Sequence, residues 1–155
     1  MTRVGLERII REHPLFAGLD ETFCQLVCGC ATNVRFAAGD YLFHEGEAAD
    51  RLYLLRQGRV ALETPTPGRG AIVFRTLDAG ELVGLSWLVP PYRWAYDARA
   101  LEPVRAIAMD AVCLRRKCEE DHDLGYEVMK RVVPILIERL HGAQLQMLDV
   151  YGHPA

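Results

Sequence analysis

The stretch VRFAAGDYLFHEGEAADRLYLLRQGRVAL, residues 34–62, decides the fold that we predict for this chain. Short apolar segments alternate in it with turn sequences such as AAGD and HEGEAAD. This spacing is typical of short antiparallel strands and not of alternating strands and helices. Within the stretch, LLRQGRVAL predicts a hairpin, because two apolar strands flank a turn at Gln57-Gly58.

The same pattern continues to about residue 110. The apolar segments AIVFRTL, ELVGL, YDARAL and VRAIAMD follow one another, and PTPGRG and DAG separate some of them. Several short strands with regular turn signals predict an antiparallel sandwich or barrel. The glycine-rich sequence TPTPGRGA lacks the lysine of a phosphate-binding loop, so we interpret it as a hairpin loop.

Helical periodicity flanks this region on both sides. From Leu6 to about Asn33 the pattern is helical with an interruption at HPLFAGLDE, and Asp20 with Glu21 marks a helix start. DAVCLRRKCEED predicts a short helix, and a longer one extends from about Asp123 toward Tyr151. We therefore expect one domain, 1–155, mainly β with flanking helices: N-terminal helices in 1–33, a β-roll in 34–110 and C-terminal helices in 111–151.

The long C-terminal helix carries more apolar surface than one neighbour can cover. Two adjoining stripes can be traced on it: Val128, Val132, Leu136, Leu140, Ala143 and Met147, and beside them Met129, Val133, Ile137 and Leu148. Either the helix packs flat on the β-roll, or its second stripe meets a second copy in a homodimer. Pro134 removes one backbone hydrogen bond, so it should kink or break the helix near Val133.

Charge and composition narrow the classes of function. The 155 residues carry a formal net charge of −3, whereas nucleic-acid-binding domains usually carry a basic excess, so we expect no direct DNA binding. The N-terminus lacks the apolar core of a secretory signal, and no apolar run is long enough to cross a bilayer. The chain is therefore predicted to be cytoplasmic, with no membrane contact.

Cysteines and histidines give weak support to a metal site. Cys24, Cys28 and Cys30 cluster, but Cys113 and Cys118 are distant in sequence, so we interpret all five as reduced thiols. A metal enzyme on a jelly roll would need converging histidines, which here are dispersed: His13, His44, His122, His141 and His153. Ser86 lacks the setting of a nucleophilic serine, so the sequence predicts no enzyme.

The segments HPLFAGL and 34–62 resemble the cyclic-nucleotide-binding domain family, which includes the bacterial catabolite activator protein. The resemblance extends from about His13 to Tyr151 and depends mainly on its glycines, among them Gly39, Gly46 and Gly58. It implies an antiparallel jelly roll flanked by helices, the last of which commonly dimerises. It also implies a phosphate-binding cassette in which a glutamate binds the ribose and an arginine neutralises the cyclic phosphate.

The stretch GLSWLVPPYRWAYDARA, residues 84–100, occupies the position of that cassette, and we call it the cassette segment. By the resemblance, Leu85 stands where the glutamate belongs and Trp94 where the arginine belongs. Pairing Gly80-Glu81 with the cassette instead leaves Glu81 too far from either arginine. The candidate ligand-binding residues are Gly84, Leu85, Ser86, Trp87, Arg93, Trp94, Ala95 and Tyr96.

Two interpretations of the cassette segment are open. Ser86 and Arg93 could face an anion while the aromatic side chains stack on a flat ring, or Trp87 and Trp94 could fill the pocket. The first predicts a stand-alone sensor or regulatory module without a resident cofactor. It would bind a nucleotide-like or other small anionic ligand, would not bind cyclic AMP in the usual way, and would act on an unknown protein partner. The second predicts a ligand-free dimeric scaffold, and a cupin-like metal enzyme is a remote third alternative.

Overall fold

The computed structural model describes residues 3–152, and these contain eight strands and four α-helices. The strands are β1 (Ala31–Phe36), β2 (Tyr41–Phe43), β3 (Arg51–Gln57), β4 (Val60–Thr66), β5 (Gly70–Leu77), β6 (Leu82–Val83), β7 (Asp97–Ala100) and β8 (Val104–Asp110). The helices are α1 (Arg3–Glu12), α2 (Glu21–Cys28), α3 (Ala111–Glu120) and α4 (His122–Gly152). The strands form two four-stranded antiparallel sheets, so the predicted jelly roll with flanking helices is confirmed.

The strand orders show how the chain passes between the sheets. One sheet has the order β1-β8-β3-β6 and the other β2-β7-β4-β5. The predicted hairpin across Gln57-Gly58 is therefore wrong, because β3 and β4 lie in different sheets. The turn between them is a corner of the sandwich. Gly58 has a φ of +96°, and a Cβ there would lie 2.4 Å from the Pro103 carbonyl oxygen, so the corner requires glycine.

The hairpin predicted at TPTPGRGA is present between β4 and β5. These strands pair over their whole length and end at Thr66 opposite Gly70. The hydroxyl of Thr66 donates to the Gly70 carbonyl at 2.7 Å and closes the loop. On the other side of β4, buried Glu63 accepts bonds from Arg99 of β7 at 3.1–3.3 Å, which fixes β7 against β4.

The N-terminal helices end earlier than the sequence predicts. Asp20 caps α2, since its carboxylate accepts from the Thr22 amide at 2.9 Å, as the predicted helix start requires. The helix ends at Cys28, however, and Ala31 through Asn33 belong to β1. These residues pair with β8 in a regular ladder, and this pairing overrides the helical pattern of the preceding residues.

Helix α4 continues through Pro134 as one helix of 31 residues, so the predicted break is wrong. Its first half packs inward, with Leu124, Val128 and Val132 buried. Beyond Val132 the helix does not lay its apolar stripes on the roll. Ile135 is partly buried against the core, but the other large apolar side chains there are at least 42% exposed: Val133, Leu136, Ile137, Leu140, Leu145, Met147, Leu148, Val150 and Tyr151. Packing on the roll therefore covers the apolar stripes only in the first half of α4, while the second half contacts the roll mainly through polar side chains such as Arg139 and Gln146.

One disulfide corrects the prediction that all five cysteines are reduced. Cys30, just before β1, is bonded to Cys113 of α3, with Cα atoms 5.8 Å apart and a sequence separation of 83. Cys24 and Cys118 are free thiols, and burial raises the pKa of both. The bridge ties α3 to the first strand of the roll.

None of the helices described within residues 3–152 combines the length and apolarity that a bilayer crossing needs.

Candidate functional site

The cassette segment leaves β6 of one sheet at Gly84 and enters β7 of the other sheet. Gly84 has a φ of +103°, and a short 3-10 turn follows at Ser86–Leu88. The indole nitrogen of Trp87 donates to the Gly84 carbonyl at 3.0 Å, and its ring is 2% exposed. This bond satisfies the indole N–H inside the protein, so Trp87 anchors the turn in the core.

Trp94 belongs to the cassette segment, and its side chain packs against Phe43 and Gly84. Its ring is stacked on Phe43 with centroids 3.7 Å apart and an angle of 8° between the planes. A Cβ at position 84 would lie 2.6 Å from Cη2 of Trp94, so the tryptophan requires a glycine opposite it. Trp94 is 4% exposed and lines a separate cavity of about 300 Å³ together with Phe43.

Arg93 and Ala95 lie at the surface of the cassette segment and not in the protein interior. The Arg93 side chain is exposed and donates to the Gly46 carbonyl at 2.9 Å, while its backbone forms a β-bridge with Ala48. Ala95 is exposed. Neither residue lines a cavity beside α4 in the part of the chain that is described.

A cavity beside α4 is lined by three of the predicted ligand-binding residues, Leu85, Ser86 and Tyr96. It has a volume of about 360 Å³ and lies between the cassette segment, the β4–β5 hairpin and α4. Leu62 and Phe74 form its sheet side, and Arg139 and Gln146 are on its helix side. The volume is in the range of small-molecule sites, which are mostly apolar with a few polar groups.

The polar groups of this cavity are cationic or neutral. Arg75 of β5 and Arg139 of α4 both line it, and none of its described lining residues is an aspartate or glutamate. Burial lowers the pKa of Arg139, and the charge of Arg75 acts in the same direction, while Tyr96, Glu81 and Glu138 oppose them. Burial raises the pKa of Tyr96, whereas both arginines lower it. The cavity is therefore electropositive and contains one partly buried phenol.

The sequence prediction missed Arg75 and Arg139. A signal for each existed: Arg75 is two residues before inward-facing Leu77, so it shares that face of the strand. Arg139 follows buried Val132 by seven residues, and seven residues are two helical turns. Charged residues at positions that face the protein interior indicate a functional or structural charge.

Helix α3 contacts the other side of the cassette segment. Arg115 donates to the Trp87 carbonyl at 2.7 Å, and its guanidinium lies 3.9 Å from the ring centroid of Tyr92. Tyr92 has a φ of +53°, an unusual conformation for a non-glycine residue. Arg115 thereby connects the cassette to the helix that precedes α4.

The histidines do not converge. His44 lies 3.7 Å from buried Asp97, and buried His13 bonds to backbone groups. Within residues 3–152 no group of three or more metal-binding side chains is brought together. His153 lies outside the described residues.

Comparison with known proteins places this geometry in a family. The sequence profile of the cyclic nucleotide-binding domain matches residues 33–121, which is more than half of the chain. The CRP-like cAMP-activated global transcriptional regulator of Mycobacterium tuberculosis is 24% identical over 152 residues, which are 97% of this chain and 67% of the regulator. Cyclic nucleotide-gated ion channel 18 of Arabidopsis thaliana is 28% identical over 117 residues, 69% of this chain but 17% of the channel.

Solved structures agree with these relatives. A Geobacter metallireducens GS-15 protein named for cyclic-nucleotide binding superposes with a TM-score of 0.77 at 27% identity, over 91% of this chain and 99% of that one. The N-terminal domain of a Streptomyces coelicolor transcriptional regulator superposes with a TM-score of 0.67 at 28% identity, over 87% and 94%.

Proposed function

The chain belongs to the cyclic nucleotide-binding domain family, and we propose that it is a non-enzymatic sensor module with an altered ligand pocket. The observation that carries this proposal is the cavity of about 360 Å³ beside the cassette segment. Leu85 and Ser86 line it from the cassette, and Arg139 and Gln146 line it from α4. A molecule bound there would contact both elements, so occupancy would change how α4 sits on the roll.

Cyclic AMP should not bind this pocket through the family's usual contacts. By the family resemblance, Leu85 stands where the ribose-binding glutamate belongs, and Trp94, which is buried, stands where the phosphate arginine belongs. A hydrogen bond to a charged group contributes about 1.5–3 kcal/mol, and two are missing. We therefore expect a ligand that makes different polar contacts, with no resident cofactor.

We propose that the module signals ligand binding through a change in the position of α4. Its second half exposes apolar side chains that a second copy would cover, among them Ile137, Leu140 and Leu148 at 61–65% exposure. In a homodimer through this face the two α4 helices would pair, and each of them would line one of the two ligand pockets. Light scattering at about 50 μM should give the mass of a dimer for the wild type and of a monomer for Ile137→Glu/Leu140→Glu.

We place this activity in the cytoplasm, with a protein partner and without direct contact to DNA. The formal net charge of −3 supports the last point, because phosphate contacts need an excess of Lys and Arg.

A ligand-free dimeric scaffold is the second candidate. The burial of Trp87 and Trp94 favours this scaffold, because both indoles of the cassette segment fill space in the protein interior. This candidate predicts that no small molecule stabilises the chain.

Thermal unfolding with a panel of small molecules separates the two candidates. The panel contains cyclic AMP, cyclic GMP, linear nucleotides and aromatic carboxylates, each at about 1 mM, well above the dissociation constants of specific sites. The sensor proposal expects at least one compound to raise Tm by several degrees, with little effect of micromolar cyclic AMP. A large shift with micromolar cyclic AMP would contradict the loss of the usual contacts.

A further inference from the structure

Arg139 has a buried nitrogen without a partner. Its Nη2 donates to the Leu82 carbonyl, while Nη1 is buried and forms no hydrogen bond to any of the described residues. A guanidinium carries its charge at all ordinary pH values. A buried and unpaired charged donor is costly in free energy, so natural proteins usually supply a partner for it.

Arg75 brings a second guanidinium to the same place. Its Nη2 lies 2.7 Å from the position that a Cβ at Gly142 would take, so the glycine lets Arg75 lie against the backbone of α4. No carboxylate of residues 3–152 forms a salt bridge with Arg75 or Arg139. Two like charges therefore approach each other without a carboxylate in salt-bridge contact, although Glu81 and Glu138 are near enough to raise the pKa of Arg139.

Two cavities adjoin these arginines, and their linings differ. The one beside Pro14 and Leu15 adds Arg131 but also contains Glu81 and Glu138, which would repel an anion. The one beside the cassette contains no acid and adds the Ser86 hydroxyl, the Gln146 amide and the ring of Tyr96. An anion is therefore favoured in the cassette cavity, where the aromatic and aliphatic side chains would cover an apolar body.

We propose that this cavity binds an anionic ligand, with a phosphate or carboxylate group held between Arg75 and Arg139 and a flat apolar body against Phe74 and Tyr96. This inference deepens the proposed function and rests on it. The ligand's charge would be recognised from β5 and α4, whereas the cassette segment would contribute shape and a hydroxyl. Since one of the two arginines belongs to α4, neutralising the pair would hold the helix against the roll.

The test compares anionic and neutral ligands of the same shape. Thermal unfolding and calorimetric titration are measured with inorganic phosphate, AMP and adenosine, at constant ionic strength adjusted with chloride. We expect AMP and phosphate to stabilise the wild type and adenosine to have little effect. Arg139→Met and Arg75→Met should each weaken AMP binding by about tenfold or more, whereas Arg105→Met, an exposed arginine of β8, should leave it unchanged.

Arg139→Met also has a readout without ligand. The variant loses the bond from Nη2 to the Leu82 carbonyl together with the unpaired Nη1, so its ligand-free Tm is the reference against which stabilisation by each anion is measured. No stabilisation of the wild type by either anion, or equal stabilisation of the wild type and Arg139→Met, would overturn the inference. If adenosine binds as well as AMP, the anion assignment is wrong while the sensor proposal stands.

Discussion

The ring of Trp94 is stacked on that of Phe43, with 3.7 Å between the centroids and 8° between the planes. This contact joins the cassette segment to β2 at the position where, by family resemblance, a ligand-binding arginine would stand. Trp94 is 4% exposed, so its ring faces Phe43 in the protein interior. The cavity that Phe43 and Trp94 line is separate from the cavity beside α4, which Leu85, Ser86 and Tyr96 of the cassette segment line.

Trp94→Ala should lower the free energy of unfolding by about 3–5 kcal/mol, because it removes a large buried side chain and leaves a cavity. Urea denaturation measures the change. Tyr151→Ala removes an aromatic side chain that is 81% exposed and should cost less than about 0.5 kcal/mol. A loss below about 1 kcal/mol for Trp94→Ala would show that the stacked pair contributes little.

Arg115→Met should loosen the cassette segment. The variant loses the hydrogen bond to the Trp87 carbonyl and the contact with the Tyr92 ring. We expect faster amide hydrogen exchange in residues 84–96 and a loss of about 1–2 kcal/mol in unfolding free energy. Arg116→Met, on the exposed side of α3, is the matched control. Unchanged exchange in the cassette amides would exclude Arg115 as the connection between cassette and α3.

Reduction of the Cys30–Cys113 disulfide should destabilise the fold. The bond closes a loop across a sequence separation of 83, so its loss increases the entropy of the unfolded chain. Cys30→Ser/Cys113→Ser should lose about 2–4 kcal/mol, measured by urea denaturation under oxidising conditions. Cys118→Ser leaves the bridge intact and serves as the control. If reductant does not shift the wild-type unfolding curve, the bridge is not formed in solution.

His13 should make stability depend on pH. Its Nδ1 accepts from the Leu15 amide at 3.2 Å and Nε2 lies 3.3 Å from the Leu55 carbonyl, a pattern that needs the neutral ring. Burial lowers the pKa of His13 below 6.5, although the bond to Leu55 opposes this. The unfolded state therefore binds more protons between the lowered pKa and 6.5, so the free energy of unfolding falls as pH decreases through that window.

The measurement is urea denaturation at several pH values between about 7.5 and 5. His13→Gln should show a weaker decrease than the wild type, since its amide does not titrate. His141→Gln, at an exposed position of α4, should follow the wild-type curve. Identical pH profiles for wild type and His13→Gln would show that His13 does not cause the pH dependence of the unfolding free energy.

The sequence was sufficient to predict the eight strands and the long helix, because turn glycines and apolar periodicity are local signals. It did not predict the pairing of β3. Leu52 through Leu55 are all buried, so this strand has apolar neighbours on both faces and shows no alternation to indicate its partner. The turn at Gly58 resembles a hairpin turn locally, and only the long-range ladder with β8 shows that it is a corner.

The candidate site was predicted in part for a similar reason. Family resemblance located Leu85, Ser86 and Tyr96, which line the cavity. Arg75 and Arg139 meet only because α4 crosses β5, which no local pattern specifies. The Cys30–Cys113 pair likewise joins distant segments, and spacing alone does not indicate it.

The central claim is that this chain retains a ligand pocket beside an altered cassette. Native mass spectrometry of the purified chain tests it most directly. We expect a species heavier than the polypeptide by one small molecule, released on denaturation and absent from the spectrum of Arg139→Met. A spectrum that contains only the bare polypeptide mass, in monomer and dimer alike, would contradict the claim and favour the ligand-free scaffold.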